Sequence, residues 1–189
     1  MFKTPETRLP EGYRETLHID IQKHKALAVG INVGAVVAFI AAFALVSIAT
    51  GGGEAGLWTL ILLLPSVVLY IMLHEAVHGL AFKAADPSLK VDYRFHGFAA
   101  SASVAGTYFY KRHYLYSALA PFVLIGIPLF LIAVLSSPLW SGLATFVFAF
   151  HVSGCVGDLY VAAKLIRFPD HVLVEDYGVG MRFFEPSER

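Results

Sequence analysis

The sequence predicts an all-α membrane bundle of four transmembrane helices, with small β-hairpin elements in the cytoplasmic interval and the C-terminal tail. Three observations predict it. Of 189 residues, 57% are hydrophobic and only 15% charged, where an ordinary water-soluble domain carries about 25% charged residues. Four apolar stretches each reach the roughly 20 helical residues that cross about 30 Å of hydrocarbon. All 14 lysines and arginines fall on one side of those stretches. Mean hydropathy is +0.66, and one integral membrane domain over 1–189 is expected.

Residues 1–25 are polar and mixed in charge; Leu17, Ile19 and Ile21 alternate there, as in a strand or a surface helix. The first span is 26–50. It is too long for the apolar core of a signal peptide, so it reads as a retained anchor. GGGEAG links it to the second span, 57–82. A polar interval, 83–113, precedes the third span, 114–136, which holds Pro121 and Pro128. SSP makes a tight turn into the fourth span, 139–166, and a polar tail follows.

Orientation follows from the basic residues. Lys3, Arg8, Arg14, Lys23 and Lys25 precede the first span; Lys83, Lys90, Arg94, Lys111 and Arg112 lie between the second and third. Lys164, Arg167, Arg182 and Arg189 lie at or beyond the end of the fourth. The two opposite loops carry none. The positive-inside rule then gives four crossings of the cell membrane with both termini cytoplasmic.

In the interval, Val91, Tyr93 and Phe95 alternate with polar residues and Thr107 to Tyr110 is β-prone; Gly97 and the small residues from Ala99 to Ala105 read as a turn or flexible hairpin. In the tail, HVLV and GMRFFE read as strands about a turn at Asp176-Tyr177-Gly178. The expected result is two hairpins capping the bundle, with an exposed strand edge as a place for an extended peptide. A net charge of zero gives no reason to expect a nucleic-acid partner, and the single cysteine, Cys155, excludes an internal disulfide. Membrane lipid and a polypeptide are the partners expected.

Strongly polar, titratable side chains are rare inside the spans: His74, Glu75, His78, His151 and Asp158. An aspartate at a helix centre costs roughly 2.5–3.5 kcal/mol on insertion scales, so such residues face the bundle interior and mark function. HEAVHG, 74–79, ends the second span. On a helix His74 and His78 lie about 40° apart on one face, one turn from each other. Two imidazoles so placed reach one ion, and Glu75 beside them is placed as general base. A catalytic zinc usually takes a third protein ligand. Asp158 lies six residues before Lys164, and His74 and His78 lie nine and five residues before Lys83, so the three share one depth. Gly154 and Gly157 remove bulk beside Asp158 and favour close approach of the second and fourth helices. On a regular helix His151 lies about 10 Å from Asp158, too far to share its ion, and reads as a histidine bonded across helices or as one that touches substrate or a water path. Pro65, Pro121 and Pro128 read as packing kinks or as openings for water and peptide.

HEAVHG closing the second of four spans, a basic strand-rich interval, and GDLY late in the fourth span together resemble a membrane family of zincin peptidases, over roughly 60–180. More distantly they are similar to the site-2 proteases. The resemblance implies zinc (Zn2+) held by His74, His78 and Asp158, with Glu75 as catalytic base. Site-2 proteases carry their aspartate in an asparagine–proline…aspartate–glycine signature; here Leu159 follows Asp158 and that signature is missing. The expected function is zinc-dependent hydrolysis of a membrane or membrane-proximal polypeptide near the cytoplasmic face. The alternatives are a non-proteolytic metal-binding or metal-transport protein, haem ligation by His78 and His151, and an inactive homologue that binds a partner.

Overall fold

A computed structural model describes residues 4–52, 56–96, 99–178 and 180–187. Helices dominate it. α1 (Lys25–Thr50) and α2 (Leu57–Ala85) are long, and both are apolar over most of their length. α3 (Lys111–Leu124) and α4 (Gly126–Leu135) follow each other with a break at Ile125. α5 (Pro138–Gly154) and α6 (Val156–Ile166) meet at Cys155 with a bend of 40°. Three helical stretches are long and apolar enough to cross a membrane: Lys25–Thr50, Leu57–Ala85 and Lys111–Leu135. The bent pair α5–α6 makes a fourth if it is one span. The expected single fourth helix is thus two helices.

The breaks have local causes. Pro128 has no N–H to donate to the carbonyl of Leu124 one turn earlier, and its ring crowds that oxygen. At the second break Gly154 and Gly157 flank the junction and weaken the helix there. Asp158 falls in the first turn of α6, where a carboxylate suits the positive end of the helix dipole.

The strands form a cap. β1 (Tyr13–Asp20), β4 (Tyr108–Tyr110), β5 (Leu173–Asp176) and β6 (Gly180–Pro186) make a four-stranded antiparallel sheet in the order β1-β6-β5-β4. β2 (Asp92–His96) and β3 (Ala99–Ser103) pair separately as a hairpin. The N-terminal segment is therefore a strand, and it joins the tail, with Tyr13 opposite Pro186 and Asp20 opposite Gly180. The small residues Ala99–Ser103, expected as turn or flexible hairpin, form a regular strand against β2 because its ladder satisfies their backbone. Residues 53–55 of the first linker, and the turn at 97–98 with Gly97, lie outside the described residues. Phe109, Val172, Val174 and Phe183 of the cap bury against Phe82 of α2, Tyr114 and Ala118 of α3, and Val161 and Leu165 of α6. The cap thus fixes the ends of the helices that carry the titratable side chains.

Candidate metal centre

α2 presents His74 and His78 one turn apart toward the start of α6, where Asp158 meets them. Nε2 of His74 lies 3.2 Å from Nε2 of His78. Oδ2 of Asp158 lies 3.2 Å from Nε2 of His74 and 3.6 Å from Nε2 of His78. Three ligands in a tetrahedral zinc site with bonds of 2.0–2.1 Å stand about 3.3–3.4 Å apart. The triangle has that size.

The surroundings settle which nitrogen of His78 is free. Nδ1 of His78 lies 2.9 Å from the carbonyl oxygen of Ser117. A carbonyl only accepts, so Nδ1 carries the proton and Nε2 keeps its lone pair. Nδ1 of His74 lies 3.2 Å from the hydroxyl of Tyr70, which leaves its Nε2 toward the same point. Asp158 Oδ2 is buried and makes no aligned hydrogen bond, despite its 3.2 Å approach to His74. Two imidazole nitrogens and a carboxylate oxygen converging at this range are held together by a cation, a proton or a metal ion, between them. This donor set fits zinc.

The triangle opens onto a cavity of about 200 Å³ whose lining includes Glu75, Tyr114, Asp176 and Ala100 to Ala102 of β3. Glu75 faces the cavity beside the three donors, and the backbone N–H of Ala102 bonds to its carboxylate. On the far wall, the Tyr114 hydroxyl donates to Oδ2 of Asp176 at 2.6 Å and the Gly178 N–H donates to Oδ1 at 2.8 Å. Burial pushes the Asp176 carboxyl above the ordinary carboxylate range, and those two bonds pull it part of the way back.

Close packing around the motif depends on two glycines. A Cβ on Gly154 would stand 2.7 Å from the Tyr70 hydroxyl, so the glycine lets that tyrosine reach His74. A Cβ on Gly79 would run into the hydroxyl of Tyr93, whose ring lies across α2 just after His78. Gly157, expected to help the helices approach, meets nothing within 4 Å of where its Cβ would be and simply lines the cavity.

His151 bonds across helices. Nε2 lies 3.4 Å from the Phe122 carbonyl across the bundle, as a structural histidine would. Its ring centroid also lies 6.2 Å from that of His74 on the neighbouring helix α2. Tyr70, Ser117, Tyr114 and Asp176 were not among the expected site residues. Of these, only Asp176 stood in a segment the sequence marked, as part of a turn; a partner that offers a backbone carbonyl, like Ser117, leaves no signal in a residue pattern.

The profile of a family described as "Putative zincin peptidase" matches residues 67–173, more than half of the chain. No curated protein and no solved structure matches.

Proposed function

The chain belongs to this zincin peptidase family, and we propose that it is a zinc-dependent, membrane-embedded peptidase. It hydrolyses peptide bonds of a membrane or membrane-proximal polypeptide near the cytoplasmic face. The observation that carries the reading is the triangle of His74 Nε2, His78 Nε2 and Asp158 Oδ2 with sides of 3.2, 3.2 and 3.6 Å. These three residues would hold the zinc. Zinc, when bound, supplies Lewis acidity that polarises a carbonyl and makes water a nucleophile near neutral pH.

The chain's own residues do the rest. The Ser117 carbonyl and the Tyr70 hydroxyl orient the two imidazoles and fix which nitrogen faces the ion. Glu75 takes a proton from the attacking water on its carboxylate and returns it to the leaving amine nitrogen. Its bond from the Ala102 N–H holds that carboxylate at the cavity wall. Ala102 pairs with Tyr93 of β2, and its N–H turned to Glu75 faces away from that strand. Ala100, two residues earlier, presents its backbone groups on the same edge. Among the described strands β3 has no second neighbour. An extended polypeptide adds along this edge, with its scissile bond brought beside Glu75.

Membrane embedding rests on α1, α2 and α3–α4, with α5–α6 as the fourth crossing, and on the outward apolar side chains of these helices. Both termini and the strand cap are assigned to the cytoplasm of a multi-pass cell-membrane protein by the one-sided lysines and arginines. The test uses purified protein in lipid nanodiscs, a mixture of membrane polypeptides, and mass spectrometry of new termini. Glu75→Gln retains one zinc and cleaves about 10²- to 10⁴-fold more slowly than wild type. Equal rates for the two proteins refute the mechanism.

A further inference from the structure

We propose that His74, His151 and Cys155 form a second metal position, for a thiophilic divalent cation, that competes with the first set for His74. The ligand atoms of these residues lie within 4.8 Å of one another, and all three residues are buried. His151 and Cys155 are fully enclosed. They lie four residues apart, one helical turn, with the Cys155 N–H donating to the His151 carbonyl at 3.0 Å, so their side chains share a face.

The tautomer favours ligation. Cys155 Sγ lies 3.7 Å from Nδ1 of His151 and 3.8 Å from Nε2. Nε2 has the Phe122 carbonyl as its partner at 3.4 Å, so it carries the proton and Nδ1 keeps the lone pair. In a tetrahedral site with a metal–sulfur bond of 2.3 Å and a metal–nitrogen bond of 2.0–2.1 Å, the two ligand atoms stand about 3.5–3.6 Å apart. The observed spacing is within a few tenths of an ångström of that, and because Sγ stands almost equidistant from the two ring nitrogens, a side-chain rotation brings the sulfur to the Nδ1 side. Sulfur distinguishes this set from the first, which offers two nitrogens and an oxygen, and so selects Cd2+ or excess Zn2+ over harder ions. His74, common to both sets, lines the cavity, and so does Gly154 beside Cys155. On binding, the Cys155 S–H bond breaks, its proton leaves to solvent, and the thiolate ligates the ion.

One imidazole serving two sets has a consequence. An ion on His151 and Cys155 draws His74 away from His78 and Asp158, so thiophilic ions in excess empty the first set. Because Cys155 is the chain's single cysteine, any thiolate-to-metal band must come from it. The experiment titrates Cd2+ into wild type, Asp158→Asn, Cys155→Ser and His151→Ala in detergent and records ultraviolet difference absorption, with circular dichroism as the check of fold. The expected result is a cadmium–thiolate band in Asp158→Asn at low Cd2+ and in wild type at excess Cd2+. The band is lost in Cys155→Ser, and His151→Ala needs at least tenfold more Cd2+ to give it. Absence of the band from folded wild type at excess Cd2+ overturns the proposal, as does a band in His151→Ala at the wild-type Cd2+ concentration. Hydrolysis with zinc at one equivalent reports on the first set and the cadmium–thiolate band on the second, so failure of one site is distinguishable from failure of the other.

Discussion

The strand cap and helix α1 are both rich in large apolar side chains, and they use them in opposite ways. In the cap, Phe109 is 1% exposed and Phe183 0% exposed. On α1, Val36 is 59% exposed and Ile48 81% exposed, and its buried residues are Ala42 and Val46. The cap folds as a water-facing domain does, by removing apolar surface from solvent. The helix keeps its apolar surface outside, as a segment solvated by lipid does. The candidate metal centre sits at the border between the two regimes. One turn beyond His78, Phe82 of α2 enters the core of the cap. β3 of the cap reaches back to line the cavity beside Glu75. The polar chemistry is thus placed where rigid helices end and where backbone edges are available to a substrate.

The largest expected effect lies at that border. His78→Ala removes a ligand and leaves His74 and Asp158 facing each other. Zinc content falls from about one ion per chain to near zero, and hydrolysis is lost. Chelator treatment of wild type gives the same loss and zinc restores it. Far-UV circular dichroism stays close to wild type, because the helices that hold the site are long and independently satisfied. A His78→Ala protein that keeps its zinc would separate the motif from the metal.

Phe183→Ala comes next and strikes the cap alone. Phe183 packs against Phe168 with ring centroids 5.1 Å apart and is fully enclosed. Truncation of such a ring costs about 3–5 kcal/mol. It is measured by denaturant titration in detergent with fluorescence as the probe, and a cost under about 1 kcal/mol would mean that the cap has no core of its own.

How much of this was legible depends on what kind of link joins the residues. Spans 26–50 and 57–82 differ from α1 and α2 by at most three residues at any end, because long apolar runs leave little freedom. His74, His78 and Asp158 were brought to one depth by counting back from Lys83 and Lys164, and the structure places their ligand atoms together. The count succeeded because α6 is regular from Asp158 onward. For His151 the count assumed a straight helix through Cys155, whereas α5 and α6 meet there at 40°, a bend that follows from Gly154, Gly157 and packing; the ligand set that holds Asp158 still excludes His151. The pairing of β1 with β6 joins residues more than 150 positions apart, and no local pattern encodes such a register. Tyr70 was hidden for another reason: within an apolar run an aromatic reads as packing, and only the room left by Gly154 turns its hydroxyl toward His74.

Gly79→Ala tests how firmly the cap grips the helix and carries a smaller effect. The new methyl group collides with the Tyr93 hydroxyl. Tyr93 is half-exposed, so its ring swings away instead of forcing α2 to move. The expected cost is about 1–2 kcal/mol, at the low end for overpacking. Faster hydrogen exchange should appear across residues 92–103 while 173–186 stay protected. Tyr93→Ala in the same chain relieves the collision. If the double variant exchanges as slowly as wild type, the ring does not hold the hairpin.

The smallest effect is expected where the most apolar surface is exposed. Val36→Leu adds a methylene to a side chain that stands outward on α1 and meets no enclosing neighbour. In a water-facing core such an addition would strain its surroundings by about 1–3 kcal/mol. On a lipid-facing helix the extra carbon only exchanges one hydrocarbon contact for another, so stability in nanodiscs should move by less than about 0.5 kcal/mol. The same substitution at Val174 of β5, which is fully buried, provides the contrast, and both are read by the denaturant midpoint of one protein preparation. A large cost at Val36 would mean that α1 packs against something in its native setting, and the division between an inward-facing cap and an outward-facing helix would have to be redrawn along that face.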